Sequence, residues 1–148
     1  MNLNNFFVER ADLQSMAENE AEARALFERG RDMLEKMSQQ QLGNGELLGP
    51  LIYTLARLGE RDKASRTLDK YTKLSTGDAR AEALVEDTRA RVMALFGDED
   101  RTIASVERVL AKPCDNTPLT PALLRLAPDF DSLRGDPRFE NLCQDSTK

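Results

Sequence analysis

Apolar residues recur along most of the chain with the three- and four-residue spacing of α-helices. Each stripe covers one side of a helix and needs a neighbour to bury it. The stripes are Ala23, Leu26, Phe27, Gly30, Met33, Leu34 and Met37; Leu47, Leu48, Leu51, Ile52, Leu55 and Leu58; Ala64, Leu68, Tyr71 and Leu74; Ala81, Leu84, Val85, Thr88, Val92, Leu95 and Phe96; and Ile103, Val106, Val109 and Leu110. The pattern predicts an all-α protein with helices near residues 4 to 17, 20 to 38, 46 to 58, 61 to 73, 80 to 96, 99 to 111, 120 to 126 and 137 to 144.

Two segments share the order helix, Gly, short connector, helix. Gly59 opens the connector GERD and Gly97 opens GDED, and connectors this short favour antiparallel hairpins. A degraded earlier copy aligns if Glu18 takes the place of the glycine, which gives spacings of 41 and 38 residues. We expect one domain over residues 1–148, with hairpins at about 4–38, 46–73 and 80–111, stacked as a short right-handed solenoid.

The segment from Leu119 to Cys143 is predicted to cover the last hairpin. Thr120 and Asp136 are expected N-caps, each followed by a proline at the first helical position. The cap is expected to span about 119–144. Apolar residues are predicted to face inward from it: Leu123, Leu124, Leu126, Phe130, Leu133, Phe139 and Leu142.

The amino-acid composition limits the partners and the kinds of catalytic or metal site that the chain can have. The net charge of −5 and the isoelectric point near 4.9 disfavour nucleic acid and membrane surfaces as partners. The chain has no His, which excludes His-based nucleophile pairs and zinc sites. Cys114 and Cys143 are expected to be thiols, with a disulfide between them as the alternative. No apolar run reaches the length of a bilayer span, so a cytoplasmic protein is expected.

Two further clusters have a structural and a functional interpretation. Acidic residues near Asp78 suggest either a metal or carboxylate site or the solvated start of a helix, and we favour the helix start. No cofactor or metal is therefore predicted. Phe6, Phe7 and Val8 are expected on the buried face of the leading helix, with self-association as the alternative.

Three sequence pieces carry a family resemblance: LARLGERDKASRTLDKY, MALFGDEDRTIASVERVLAKP and LTPALLRLAPDFDSLRGDPRF. Together they resemble the tetratricopeptide-like C-terminal region of bacterial multidomain signalling proteins. In that family the region commonly follows a serine/threonine kinase, a winged-helix regulator or a cyclase domain. The resemblance implies a binding region without chemistry of its own.

In stacked hairpins the first helices line the concave side, so their exposed positions are the expected recognition surface. These positions are Glu46, Gly49, Tyr53, Ala56, Arg57, Asp87, Arg91 and Ala94. Among them we predict a groove formed by Tyr53, Arg57, Asp87 and Arg91, because Tyr and Arg are common interface anchors and guanidiniums bind carboxylates. The alternative is that these side chains are solvated or form intramolecular salt bridges.

We therefore expect a protein-interaction scaffold of tetratricopeptide-like type that binds a protein or peptide and is not an enzyme. The alternative is a structural or oligomerisation domain of a larger signalling protein. In that case the N-terminal hairpin would form a homodimer.

Overall fold

The computed structural model describes residues 3–16, 19–111 and 119–144, with side chains from residue 8 onward. Within these ranges the chain forms helices and no strand, which confirms the all-α prediction. The α-helices are α1 (Leu3–Met16), α2 (Glu20–Gln40), α3 (Leu48–Arg57), α4 (Arg61–Ser75), α5 (Ala79–Leu95), α6 (Glu99–Ala111), α7 (Pro121–Leu126) and α8 (Pro137–Leu142). Two 3₁₀ turns add to them, Gly45–Leu47 and Pro128–Leu133. Every predicted helix is present within two residues at either end.

The chain divides into two compact units, Met1–Leu74 and Ser75–Lys148. In the first unit α1 packs on α2, α2 packs on α3, and α1 also contacts α3. Ala11, Ala23, Phe27 and Leu58 form one buried cluster, against which Val8, Leu26 and Tyr53 pack. The apolar stripes of α3 and α4 are buried as predicted, except that Leu74 is 48% exposed.

The second unit is built on the pair α5 and α6. The 3₁₀ turn Pro128–Leu133 packs on α5, and α8 packs on α6. One buried cluster joins these elements, and in it the rings of Phe130 and Phe139 lie 5.8 Å apart between centroids. Its other buried members are Ala90, Ala94, Val106, Val109, Leu119, Leu124, Leu133 and Cys143.

The turn after α3 and the turn after α5 have the same backbone structure. Gly59 and Gly97 have φ angles of +79° and +74°, a region that glycine adopts without steric cost. Glu60 N–H donates to Leu55 C=O and Asp98 N–H to Met93 C=O, both at 2.9 Å. The two helix–Gly–helix segments therefore form equivalent turns, as their spacing predicts.

The end segment agrees with the prediction in its caps but not in all its apolar contacts. Thr120 accepts a hydrogen bond from Leu123 N–H at 3.2 Å, and Asp136 accepts one from Arg138 N–H at 2.8 Å. Leu123 and Leu126, predicted to face inward, are instead 44% and 75% exposed. α7 has only six residues, and Leu124 alone among its leucines is buried. A single short helix cannot bury three leucines that lie on different sides of it.

None of the described helices combines the length and the apolar composition that a bilayer span requires. The cytoplasmic location stays a prediction. Cys143 is a free, buried thiol, and burial raises its pKa, which makes it a poor nucleophile. Cys114 lies outside the described residues, as do the side chains of Phe6 and Phe7.

Candidate functional site

Tyr53 and Arg57, predicted to line a groove, connect α3 to α1. Tyr53 Oη donates to Asp12 Oδ1 at 3.2 Å, and Arg57 Nη2 donates to Ser15 Oγ at 2.8 Å. The Arg57 guanidinium also lies 5.1 Å from the ring centroid of Phe27, within the range of a cation–π contact. Both side chains are half-buried by these contacts. They therefore help to hold the first unit together.

Asp87 and Arg91, the other predicted groove residues, have the equivalent role in the second unit. Arg91 Nε lies 3.2 Å from Asp87 Oδ1, and Arg91 Nη1 lies 2.7 Å from Asp129 Oδ2. The guanidinium is 5.8 Å from the ring centroid of Phe130. One arginine therefore connects α5 to the 3₁₀ turn Pro128–Leu133. Burial raises the pKa of Asp87; Arg91 opposes this effect and the nearby Asp129 adds to it.

The predicted groove residues thus come together as two pairs, one in each unit, and each pair has intramolecular partners. These contacts match the alternative of intramolecular salt bridges. Two of the positions expected to be exposed, Ala56 and Ala94, are buried. The expectation was wrong there because α3 contacts both α1 and α2, and α5 contacts both α6 and the 3₁₀ turn Pro128–Leu133, so each helix has more than one packed side.

The acidic residues at the start of α5 are engaged in capping and ion pairing. Asp78 accepts hydrogen bonds from Arg80 N–H and Ala81 N–H, each at 3.0 Å, and Glu82 accepts one from Gly77 N–H at 3.0 Å. Glu86 pairs with Arg89. In the described part of the chain no group of carboxylates and thiols is arranged to hold a metal ion. The arrangement fits the start of a helix.

A cleft of about 270 Å³ opens in the first unit beside α4, and the sequence analysis did not single it out. α4 turns its buried residues Ala64, Leu68 and Tyr71 toward the core, because they recur at i, i+4 and i+7. The same helical spacing brings its basic residues to one flank. The cleft is lined by Lys63, Arg66, Thr67 and Lys70 from α4, Leu51 and Leu55 from α3, and Glu35 from α2.

One end of the cleft is fixed by a network of charges. Lys63 Nζ lies 2.9 Å from Glu60 Oε2 and 3.7 Å from Glu35 Oε1. Arg31 Nη1 donates to Glu60 Oε1 at 2.7 Å. Hydrogen bonds from Lys63 and Arg31 lower the pKa of Glu60, and the bond to Glu60 raises the pKa of Lys63. Lys63 is thereby held at the rim as an ammonium ion.

Arg66 and Lys70 differ from these paired cations. Both are exposed, and within the residues that the structure describes neither side chain has a hydrogen bond or an ion pair. The floor between them and α3 is Leu51 and Leu55, which are buried. Cationic groups that stand beside an apolar floor are available for an external ligand.

No protein-family model, curated protein or solved structure matches this chain. The family resemblance drawn from the sequence pieces therefore stays a prediction. The cleft, its charges and its neighbouring helices are the basis for a functional proposal.

The cleft could have been found from the sequence by one signal. Lys63, Arg66 and Lys70 stand at i, i+3 and i+7, which places them on one side of a helix. Recognition residues were expected on the first helix of each hairpin, whereas these residues belong to a second helix. The participation of Glu35 and Leu51 depends on packing between helices and has no signal in the local sequence.

Proposed function

We propose that this protein is a helical protein-interaction module, and that it binds a partner protein through the cleft beside α4. The observation that carries the proposal is the pair Arg66 and Lys70, exposed and without an intramolecular partner in the described chain, next to an apolar floor. Interface anchors are commonly arginines beside apolar surface. Tyr53, Arg57, Asp87 and Arg91 are assigned to internal packing and not to the binding surface.

The module is further proposed to be a tetratricopeptide-like solenoid without enzymatic activity. Two observations support the repeat: the equivalent turns at Gly59 and Gly97, and the helix–Gly–helix order of the segments that contain them. The proposal of no activity is supported by the absence of His from the chain and of kinase motifs from its sequence.

Site-specific photo-crosslinking in cells that produce the protein tests the binding site. A photoreactive residue placed at Thr67, which lines the cleft and leaves Arg66 and Lys70 in place, is expected to give a discrete adduct with another protein. The same residue placed at Arg24, which is exposed on α2, is the control and is expected to give none. Identical adducts from both positions, or none from Thr67, would contradict the assignment of the cleft.

An oligomerisation domain is the second candidate, and α1 provides the observation that favours it. Leu13 and Met16 lie one turn apart and are 66% and 65% exposed. Exposed apolar pairs of this kind can mark a contact between copies. This function predicts a molar mass that rises with protein concentration in sedimentation, and a constant monomer mass for Leu13→Lys combined with Met16→Lys. A wild-type mass that does not change with concentration argues against it.

A further inference from the structure

We infer that the partner segment bound at the α4 cleft is acidic, and that its carboxylates contact Arg66 and Lys70. This inference rests on the proposed function and names the chemistry of the partner. Three properties of α4 support it: its net charge, the spacing of its cations and their number.

Charge on the chain is unevenly distributed. The whole protein carries −5, whereas α4 contains five basic and two acidic residues, a net charge of +3. Three of the five basic residues line the cleft, and the only acidic residue in its described lining is Glu35. Glu35 faces Lys63 at 3.7 Å. The field at the cleft is therefore positive on a protein that is negative as a whole, and an acidic segment is attracted to this surface in preference to others.

The spacing of Arg66 and Lys70, which have no ion pair within the described part of the chain, fits carboxylates on consecutive turns. Arg66 and Lys70 are four residues apart, so their Cβ atoms lie about 5–6 Å from each other on the helix surface. An Arg guanidinium binds a carboxylate through two parallel hydrogen bonds, and a Lys ammonium acts as a compact point charge. Acidic residues at i and i+4 of a helical partner have the same separation. The proposed partner therefore presents Asp or Glu at that spacing.

The groups beside Arg66 and Lys70 limit which other side chains of a partner the cleft can bind. Thr67 Oγ1 donates to Lys63 C=O at 2.8 Å, so its proton is already used. Leu51 and Leu55 form an apolar floor, and the hydrocarbon stems of Arg66 and Lys70 extend it. An aliphatic side chain between the two acidic positions of the partner would contact this floor.

The small number of cations in the cleft favours an acidic protein segment as the ligand over a nucleic acid or an anionic membrane. Nucleic-acid binding proteins commonly neutralise about 6–10 phosphates, and polybasic membrane sites use about 4–8 Lys or Arg residues. The cleft offers Lys63, Arg66 and Lys70, of which Lys63 is already paired. A few charge-assisted contacts beside an apolar floor are typical of a peptide-binding surface.

The test uses a fluorescent synthetic helical peptide with Glu at every fourth position and Leu between, and a matched peptide with Gln in place of Glu. Fluorescence anisotropy is measured with the wild-type protein at low and at high salt. We expect binding of the Glu peptide that weakens with salt, and binding of the Gln peptide that is at least about tenfold weaker.

Two variants locate the binding site. Arg66→Gln with Lys70→Gln is expected to weaken binding of the Glu peptide by about tenfold or more. Arg24→Gln with Lys36→Gln removes the same charge from exposed positions of α2 and is expected to change the affinity by less than about twofold. Gln is a good helix former, and circular dichroism of both variants checks that they are folded.

Three results would overturn the inference. The first is equal affinity for the Glu and Gln peptides, and the second is an equal loss of affinity for the Glu peptide in both variants. The third is that a single-stranded oligonucleotide or phosphatidylserine vesicles bind more tightly than the Glu peptide, in a way that depends on Arg66 and Lys70. An adduct at Thr67 with a partner that lacks an acidic segment would refute the acidic partner and keep the interaction module. The absence of any protein adduct, together with no binding of the Glu peptide, would refute both.

Discussion

Arg91 neutralises two carboxylates of the second unit while it packs on an aromatic ring. Asp87 belongs to the same helix, and Asp129 lies 38 positions further along the chain. All three side chains are at least three-quarters buried, and Asp129 is only 9% exposed. Removing Arg91 would leave two buried carboxylates without their counter-ion, which is far more costly than losing an exposed ion pair.

The pH dependence of stability provides a prediction for Asp87. Its pKa is raised in the folded protein, so its contribution to stability is fully present below the unfolded pKa and is lost as the pH rises through the folded pKa. Asp87→Asn removes this titration. Relative to wild type, the variant should be more stable at about pH 7 than at about pH 3, with a free energy of unfolding that is larger by a difference on the order of 1 kcal/mol. Urea denaturation at both pH values measures it.

Asp62→Asn is the control for that experiment, because Asp62 is an exposed carboxylate of α4. We expect its effect on the free energy of unfolding to be small, because the side chain is exposed. A pH difference in Asp62→Asn as large as that in Asp87→Asn would contradict the role of burial.

Residue-scale roles were the hardest to predict from the sequence. Tyr53 and Arg57 occupy polar positions beside an apolar stripe, and periodicity assigns such positions to solvent. Their partners Asp12 and Ser15 lie 41 and 42 positions earlier, so no local pattern indicates the contact. The same reasoning applies to Arg91 and Asp129. Charged residues at the border of a stripe are ambiguous until the packing of the helices is known.

At the scale of the element, the sequence predicted the helices well, because their ends carry local signals. Asp78, Thr120 and Asp136 are N-caps whose side chains accept hydrogen bonds from the first turn, and Gly59 and Gly97 end α3 and α5. Both kinds of signal depend on neighbouring residues alone. The 3₁₀ turn Pro128–Leu133 was not among the predicted helices, since its proline and two aspartates give no helical period.

Within α4, two leucines allow a matched test of the hairpin core. Leu68 is buried, whereas Leu74 is 48% exposed. Leu68→Ala should lower the free energy of unfolding by about 2–5 kcal/mol, because it leaves a cavity. Leu74→Ala should change it by less than about 1 kcal/mol. Chemical denaturation of both variants gives the comparison, and a loss below about 1 kcal/mol for Leu68→Ala would show that the packing of α4 is wrong.

The attachment of α1 is expected to depend on Arg57. Its guanidinium contacts Ser15 and Phe27, and it lies 3.8 Å from Asp12 Oδ1. In Arg57→Ala the amides of α1 should exchange with solvent about 5–30 times faster, which corresponds to a loss of about 1–2 kcal/mol of local stability. Hydrogen exchange measured by mass spectrometry resolves this change.

The second unit and a surface variant serve as references for that measurement. Amides of α5 and α6 should exchange at the wild-type rate, and so should those of α1 in Arg24→Ala, where an exposed side chain is removed. Equal acceleration throughout the chain would indicate global destabilisation and contradict the local role of Arg57.

At the scale of the whole molecule, each unit contains a buried cluster of its own. The cluster of the second unit includes Leu124, Phe130, Leu133 and Phe139 from the end segment, together with residues of α5 and α6. The sequence predicted that this segment covers the last hairpin. It did not predict which leucines of α7 are buried, because a helix of six residues is too short to show a period.

The end segment is therefore expected to contribute much of the stability of the second unit. Deleting everything after Pro118 removes five buried Leu and Phe side chains, at about 1.5–3 kcal/mol each, namely Leu119, Leu124, Phe130, Leu133 and Phe139. After the ordering entropy of the segment is subtracted, a loss of several kcal/mol should remain. The truncated protein should melt far below the intact one or aggregate, as thermal denaturation followed by circular dichroism and light scattering would show.

Single substitutions make the same test without a deletion. Phe139→Ala should cost about 3–5 kcal/mol, whereas Leu126→Ala, at a position 75% exposed, should cost less than about 0.5 kcal/mol. A truncated chain that remains monomeric and as stable as the intact protein would show that the end segment is not part of the fold.

The equivalent turns at Gly59 and Gly97 raise the question of whether the residues that follow the two glycines, Glu60 and Asp98, could be exchanged. Grafting Glu60 onto position 98 removes the cap that Asp98 provides for Arg101 N–H at 3.1 Å, a loss confined to the first turn of α6. The reverse graft places Asp at position 60, where a side chain shorter by one methylene no longer reaches Arg31 on α2. Turns with equivalent backbone hydrogen bonds are therefore not interchangeable segments, and position 60, whose side chain reaches another helix, is constrained more strongly than position 98.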